Sequence, residues 1–338
     1  MKLVWHDTLT GLEAAAWDEA WKRMDLHPFQ HRQLAIDRAH CHGQELRFVT
    51  GWQDRELVFG AAVQVRKSWP WPPRLAVTRG PWAVDETSLV AGLHQLLALF
   101  PPGLQPMSLR VDPHLPLPAL TAASGLADLG FAPAPAELHQ QTIRCDVSGS
   151  EADMLAGFRT LTRRMIKKAG NAGLSTEFGT ADDLASYLVM HGTAASQKGY
   201  GQPQTDWCKA LLGSGLAWLA LTRQGDRVVG GGVFARGART VHYLYGATDP
   251  QFEGPALYDV FWSVMRHAKA LGCSVFDLGG LPDAEDGIAF FKRGWGGREV
   301  RFLTERERVV QPLALGTWTW VRRQLRGREQ AMGQEESQ

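Results

Sequence analysis

The stretch Gly287-Ile-Ala-Phe-Phe-Lys-Arg-Gly-Trp-Gly-Gly297 concentrates the residue types best suited to chemistry. Lys292 stands between aromatics, a focused positive charge in a partly dry site, and glycines around Lys292 and Trp295 let backbone approach a bulky ligand closely. The plain alternative is a rim lysine satisfied by a carboxylate. Two further runs carry polar groups toward the same place, His242-Tyr-Leu-Tyr-Gly-Ala-Thr248 and Phe276-Asp-Leu-Gly-Gly280. A separate group is cationic. From Ser150 to about Ala172 the apolar residues Met154, Leu155, Phe158, Leu161 and Met165 fall at helical spacing, and the other face holds Arg159, Arg163, Arg164, Lys167 and Lys168, with no acid between Arg159 and Lys168. A solvated helix face usually interleaves Glu, so this face suits phosphates.

Composition narrows the classes. The chain has 338 residues, which predicts two domains, and 36 Lys+Arg against 35 Asp+Glu leave no global field for a polyanion. Nucleic-acid contact must therefore come from a local patch. Cys41, Cys145, Cys208 and Cys273 lie far apart and form no ligand pair, which argues against a zinc site or a disulfide framework and fits a reducing cytoplasm. The first ten residues lack an apolar signal core. The longest greasy stretch, Leu89 to Phe100, is interrupted by His94 and Gln95 and is too short to span a bilayer. A cytoplasmic protein without a transmembrane segment is expected, with work at the inner membrane face left open.

The elements that must position these residues occur twice. A β-hairpin around Arg47–Val65 returns around Leu216–Ala235, with Gly60 matching Gly231. Each hairpin is followed by a third strand ending in glycine, Leu75–Gly80 or Val241–Gly246. An amphipathic helix comes next, about Asp85–Phe100 or Pro255–Leu271, then a strand carrying an acid, Ser108–Asp112 or Ser274–Asp277. A Gly-aromatic element closes each unit, at Phe131 and Trp295. Before the second unit, helices are expected at Ala181–Ser196 and from Thr205, the latter carrying Trp207, and no coiled-coil arm interrupts them. Three antiparallel strands, a helix and a further strand beside the third make the order of the Gcn5-related N-acetyltransferase (GNAT) fold. The predicted class is α/β (α+β), two tandem GNAT-like domains over 1–149 and 150–305 with a C-terminal segment over 306–338. That topology opens a gap at the carboxyl ends of the third and following strands.

Tyr243-Leu-Tyr-Gly-Ala, Phe276-Asp-Leu-Gly-Gly and Phe291-Lys-Arg-Gly-Trp-Gly resemble signatures of the Fem family of aminoacyl-tRNA-dependent peptidyltransferases. Arg79-Gly-Pro81, Val111-Asp-Pro113, Leu129-Gly-Phe131, Thr142-Ile-Arg-Cys-Asp146 and Thr162–Ala169 fall in the family's order, so the likeness runs along nearly the whole chain. The resemblance implies transfer of an amino acid from aminoacyl-tRNA to the side-chain amine of a peptidoglycan precursor, without metal, acetyl-CoA or other cofactor. It places the acceptor on the first domain and the tRNA acceptor end on the second. The helix Gly316–Leu325 would return to the first domain, with Trp318 and Trp320 expected as plain core.

An aminoacyl ester is already activated, so aminolysis needs a neutral amine, alignment and an oxyanion contact more than a covalent nucleophile. Lys292 is the candidate for that contact or for the donor's terminal phosphate. Asp112 is the candidate for the amine's proton, with a turn residue before Pro113 as its alternative. Substrate-binding candidates are Arg38, Arg79, Trp207, Tyr243, Phe291 and Trp295. The family pattern favours Tyr243 over Tyr245 as the residue that faces the cleft. Arg38 stands near the family's first diphosphate-binding position, and Pro203 replaces the arginine of the second, which leaves a nucleotide-linked or a lipid-linked acceptor open. The rivals are a CoA-dependent N-acyltransferase, for which Gln251-Phe-Glu-Gly-Pro-Ala256 fits a pyrophosphate loop, and a non-catalytic tRNA- or precursor-binding module.

Overall fold

Leu89, Leu93 and Leu96 bury one side of the helix Glu86–Ala98 completely, and Asp85 caps its start by accepting from Ser88 N at 2.7 Å. The helix seats on the sheet through Gly92, where a Cβ would stand 2.3 Å from the Phe59 ring. The second copy of this arrangement uses Val260, Phe261, Val264 and Met265 of the helix Ala256–Ala270.

In this computed structural model, residues 1–284 and 286–335 are described, without the side chains of 326–335. The strands are β1 (Lys2–His6), β2 (Glu45–Gln53), β3 (Glu56–Ser68), β4 (Trp71–Val77), β5 (Trp82–Ala83), β6 (Ser108–Val111), β7 (Ala132–Pro133), β8 (Gln141–Asp146), β9 (Leu174–Gly179), β10 (Ala217–Gln224), β11 (Arg227–Arg236), β12 (Thr240–Thr248), β13 (Val275–Gly280), β14 (Arg298–Arg301) and β15 (Arg306–Val309). One sheet has the order β1-β2-β3-β4-β6-β15-β7, with β5 beside β3, and the other β14-β8-β13-β12-β11-β10-β9. The repeat is visible in register. Thr50 faces Gly60 in one hairpin and Leu221 faces Gly231 in the other, and the parallel pairs β4–β6 and β12–β13 correspond.

The chain divides into two compact units, Met1–Glu13 with Gly43–Pro135 and Leu303–Gln338, and Ala14–His42 with Ala136–Phe302. These bounds differ from the expected 1–149 and 150–305 in two ways. Residues 14–42 fold with the second unit, because Asp25 accepts from Arg239 N and Thr240 N and Phe29 packs edge-on to Trp207. The strands beside β6 and β13 are also exchanged along the sequence: β8, which follows the first repeat, lies between β13 and β14, while β15, which follows the second, lies between β6 and β7.

The helix expected from Ser150 to Ala172 is broken. A segment Glu151–Gly157, closed by a Ser150/Asp153 capping box, ends at Phe158, and a second helix runs Thr160–Asn171. Arg163 binds the break, donating to the Phe158 carbonyl and to Thr160 Oγ1 at 3.1 Å. The final helix is longer than expected, Pro312–Glu335, and Trp320 is 62% exposed rather than core.

Candidate active site at the β12–β13 junction

Strands β12 and β13 pair only from Thr240↔Val275 to His242↔Asp277. Beyond that point β12 continues to Thr248 and β13 to Gly280 without further pairing between them. Lys292 is delivered to this junction by the helix Gly287–Arg293, whose start is held by Asp286 accepting from Ile288 N and Ala289 N. Its ammonium donates to the Gly280 carbonyl and lies 5.4 Å from the centre of the Tyr243 ring. Lys292 is 5% exposed. Burial pushes its pKa down from 10.5 to about 8, against the attraction of Asp277 and Asp286. An ammonium has three N–H donors. With one directed at Gly280, the group is a positioned cation whose charge state changes close to neutrality.

Asp277 organises the surroundings. Its carboxylate accepts from Thr142 Oγ1 at 2.5 Å, Gly279 N at 2.9 Å and Arg144 Nε at 3.0 Å, with His242 Nδ1 at 3.9 Å. Burial opposes its charge, yet His242, Arg144 and these hydrogen bonds outweigh burial and hold its pKa below the ordinary carboxylate value. Gly279 adopts φ +66°, and a Cβ there would stand 2.5 Å from Tyr243 O, so only glycine allows β13 to pass β12 so closely.

The glycines after Lys292 serve the protein's own packing rather than a ligand. A Cβ on Gly294 would stand 2.4 Å from Thr162 Oγ1, on Gly296 (φ +71°) 1.8 Å from Gly157 O, and on Gly297 2.6 Å from Arg144 O. Gly294 O also accepts from Arg159 N at 2.9 Å, which fixes the start of the basic helix two residues beyond Lys292. Arg159, Arg164, Lys167 and Lys168 of that region are exposed. Arg163 is exposed too, but its guanidinium serves the helix break.

The predicted substrate-binding aromatics are distributed differently from expectation. Trp295 is 1% exposed, stacked on Phe261 at 5.5 Å and edge-on to Phe158 at 5.0 Å, and Phe291 packs on Tyr258 and Phe261, so both build core. Tyr243 joins Phe234 and Phe261 on the Lys292 side. Tyr245 belongs to another cluster, where its hydroxyl accepts from Trp207 Nε1 at 3.2 Å, Trp207 meets Phe29 at 5.7 Å, and Arg38 lies 5.2 Å over Phe29. Trp207 is 2% exposed, hence also core. Arg38 therefore belongs to the second unit and not, as expected, to the first.

Asp112 and Arg79 occupy the corresponding strand end of the first unit. The Arg79 guanidinium lies 3.4 Å from the Asp112 carboxylate and Arg79 N 3.3 Å from it, while Asp112 N donates to Val77 O and Gly80 O. Both side chains are buried. This lacing joins β4 to the end of β6 and supports the turn-residue reading of Asp112. The first-unit gap and the second-unit gap thus share a topology and differ in content: a closed ion pair in one, a lysine bound to a carbonyl in the other. Sequence reasoning brought the runs containing His242 and Asp277 toward this place without giving either residue a role, and it left Thr142 and Arg144 out of the site. The acid repeated at Asp112 and Asp277 was the signal available for Asp277.

Residues 156–293, which contain β9 to β13 and the Lys292 helix, match the acetyltransferase (GNAT) domain family. Among solved structures, the chain is similar to FemX, with TM-score 0.78 and 16% identity over 93% of this chain and 98% of that one. It is also similar to the C-terminal domain of a putative lysylphosphatidylglycerol synthetase from Agrobacterium fabrum (TM-score 0.54, 11% identity, 90% and 94% covered). A tandem GNAT protein from the clavulanic acid biosynthesis pathway gives TM-score 0.55 at 9% identity, with 91% and 98% covered. No curated protein matches in sequence. The chain therefore has the doubled GNAT-like fold, and the Fem resemblance of its motifs is met at the level of that fold. Within that fold, residues 156–293 form a GNAT-type domain.

Proposed function

We propose that the protein transfers an amino acid from aminoacyl-tRNA to the stem-peptide amine of a peptidoglycan precursor. The observation that carries this reading is the bond from Arg159 N to Gly294 O, which couples an exposed acid-free cationic helix to the loop that holds the buried Lys292. A donor with a phosphate backbone and an ester at its end needs both features. Phosphates meet Arg159, Arg164, Lys167 and Lys168, and the ester carbonyl is presented to Lys292. The neutral acceptor amine attacks the carbonyl carbon and forms the C–N bond. Lys292 stabilises the oxyanion that develops. Collapse breaks the C–O bond to the tRNA ribose, and the proton lost by the amine leaves with the ribose oxygen.

A CoA-dependent transfer is less well supported at the Gln251–Ala256 loop. The Phe252 ring lies over Gly254, within 2.4 Å of where a Cβ would be, and packs against the cluster of Ala169, Leu174, Val229 and Ala256. Pro255, which has no N–H, stands at the helix N-cap. A binding-only module has no need of the buried Lys292 ammonium held on the Gly280 carbonyl.

The test is incubation with total charged tRNA and a panel of nucleotide- and lipid-linked muropeptide precursors, with products read by mass. A gain of one amino-acid residue is expected. An acetyl gain with acetyl-CoA and none with charged tRNA overturns the reading.

A further inference from the structure

One end of the first unit's sheet carries a surface that acyl transfer does not use. β4 and β6 begin there, with Arg74 paired to Ser108, and β15 ends there, with Val309 opposite Ser108. The β3–β4 hairpin extends past this end to a tip where Trp69 is 94% exposed. After β15 the chain enters the helix Pro312–Glu335, anchored by Gln311 N and Nε2 donating to Met107 O and Gln105 O, each at 3.0 Å. The helix turns Leu315, Trp318 and Val321 partly inward, and Trp318 lies between the guanidinium groups of Arg74 at 3.9 Å and Arg322 at 5.2 Å. Leu313 and Trp320, seven residues apart and so on one stripe, are 88% and 62% exposed. An open groove of ≈ 400 Å³ runs beside them, bordered by Val309, Trp320 and Arg323.

The charge around this stripe has one sign. From Arg308 to Arg328 the sequence has five arginines and no Asp or Glu. Arg66 and Lys67 lie on the hairpin. Of the acids nearby, Glu45 pairs with Lys67 at 2.6 Å and Glu307 with Arg110 at 3.4 Å. Exposed tryptophans next to aliphatic side chains and arginines match the interfacial region of an anionic bilayer, where an indole sits at headgroup depth and each cation adds attraction. Single-stranded nucleic acid would use the tryptophans for stacking, but Leu313, Val309 and Val310 offer a base nothing. Among the described residues no helix is long and apolar enough to cross a membrane, so contact of this kind is peripheral.

We propose that this end of the first unit docks on an anionic lipid surface, with Trp69, Leu313 and Trp320 among the headgroups and Arg322 and Arg323 against lipid phosphates. The inference stands independently of the tRNA donor. If both hold, the acceptor presented to the protein is lipid-linked.

The test is sedimentation of the full chain with vesicles of phosphatidylcholine alone or mixed with phosphatidylglycerol. Binding to the mixed vesicles, weakening with salt, is expected, with little binding to phosphatidylcholine. An arginine at such a surface is worth about fivefold in partitioning, so R322E/R323E should lose roughly 25-fold or more. W69S/W320S should lose about tenfold or more. Both variants alter exposed side chains, and circular dichroism melting checks that they remain folded. Absence of binding to the mixed vesicles, or undiminished binding by the folded variants, overturns the proposal. So does a dimer or a complex with uncharged tRNA that W69S/W320S abolishes in a protein that ignores vesicles.

Discussion

Replacing Lys292 with Met tests the site through its pH dependence. Burial moves the lysine from 10.5 to about 8, a difference worth about 3 kcal/mol against the charged form. At pH 7 the ammonium is still about nine-tenths protonated. Aminolysis needs this cation and a neutral acceptor amine, whose ordinary pKa is about 10.4. Below pH 8 the rate at limiting acceptor should therefore rise tenfold per pH unit as the amine loses its proton. Above pH 8 the loss of the Lys292 charge cancels that gain, and the profile levels. In Lys292→Met the rate at pH 7 should fall on the order of a hundredfold or more, and the residual rate should keep rising through pH 8. Stability gives an independent reading with a defined sign. Between pH 8 and 10.5 the unfolded chain binds more protons at this lysine than the folded one, so the wild type gains stability relative to Lys292→Met as pH rises through that window. Single-turnover transfer and urea unfolding across pH 7 to 10 measure both. A break at pH 8 that persists in the folded Met variant, or an undiminished rate, refutes the assignment.

Arg164→Glu with Lys167→Glu should raise the apparent KM for charged tRNA and flatten its salt dependence, with acceptor affinity unchanged; steady-state kinetics at several salt concentrations measure this. Arg163→Ala removes a guanidinium that bonds the Phe158 carbonyl, so about 1–3 kcal/mol of stability should be lost in urea titration. Asp112→Ala leaves Arg79 buried beside the vacated position and should cost roughly 3–5 kcal/mol of stability; retention of full transfer by the surviving folded fraction identifies Asp112 as a strut. Gly296→Ala places a Cβ against the Gly157 carbonyl at a positive φ, so soluble yield and melting temperature should both drop sharply.

The sequence by itself determined the elements and their repetition. Hairpins, helices and acid-bearing strands follow from local periodicity, and the matched registers at Gly60 and Gly231 show that the repeat persists in space. Lys292 was legible because a lone lysine among aromatics and glycines is unusual at the level of residue type. The basic helix was legible for the same reason, although its break at Phe158 was not, because the apolar spacing continues through it. Tertiary structure alone decided the rest. Backbone hydrogen bonding is nearly blind to side-chain identity, so nothing local tells β8 to join the second sheet or β15 the first. Residues 14–42 precede the first repeat, yet they fold with the second unit through Asp25, which accepts from Arg239 N, and Phe29, which packs on Trp207. Trp295 and Trp207, expected from the sequence to bind substrate, are core, because both are buried in the folded second unit. The same is true of the charges. Asp112 and Asp277 are equivalent acids in the repeat, but one closes on Arg79 and the other holds Arg144 beside His242. A pKa depends on desolvation and on charges from distant parts of the chain, so the lowered pKa of Lys292 was fixed only when β13 and the Asp286-capped helix enclosed it.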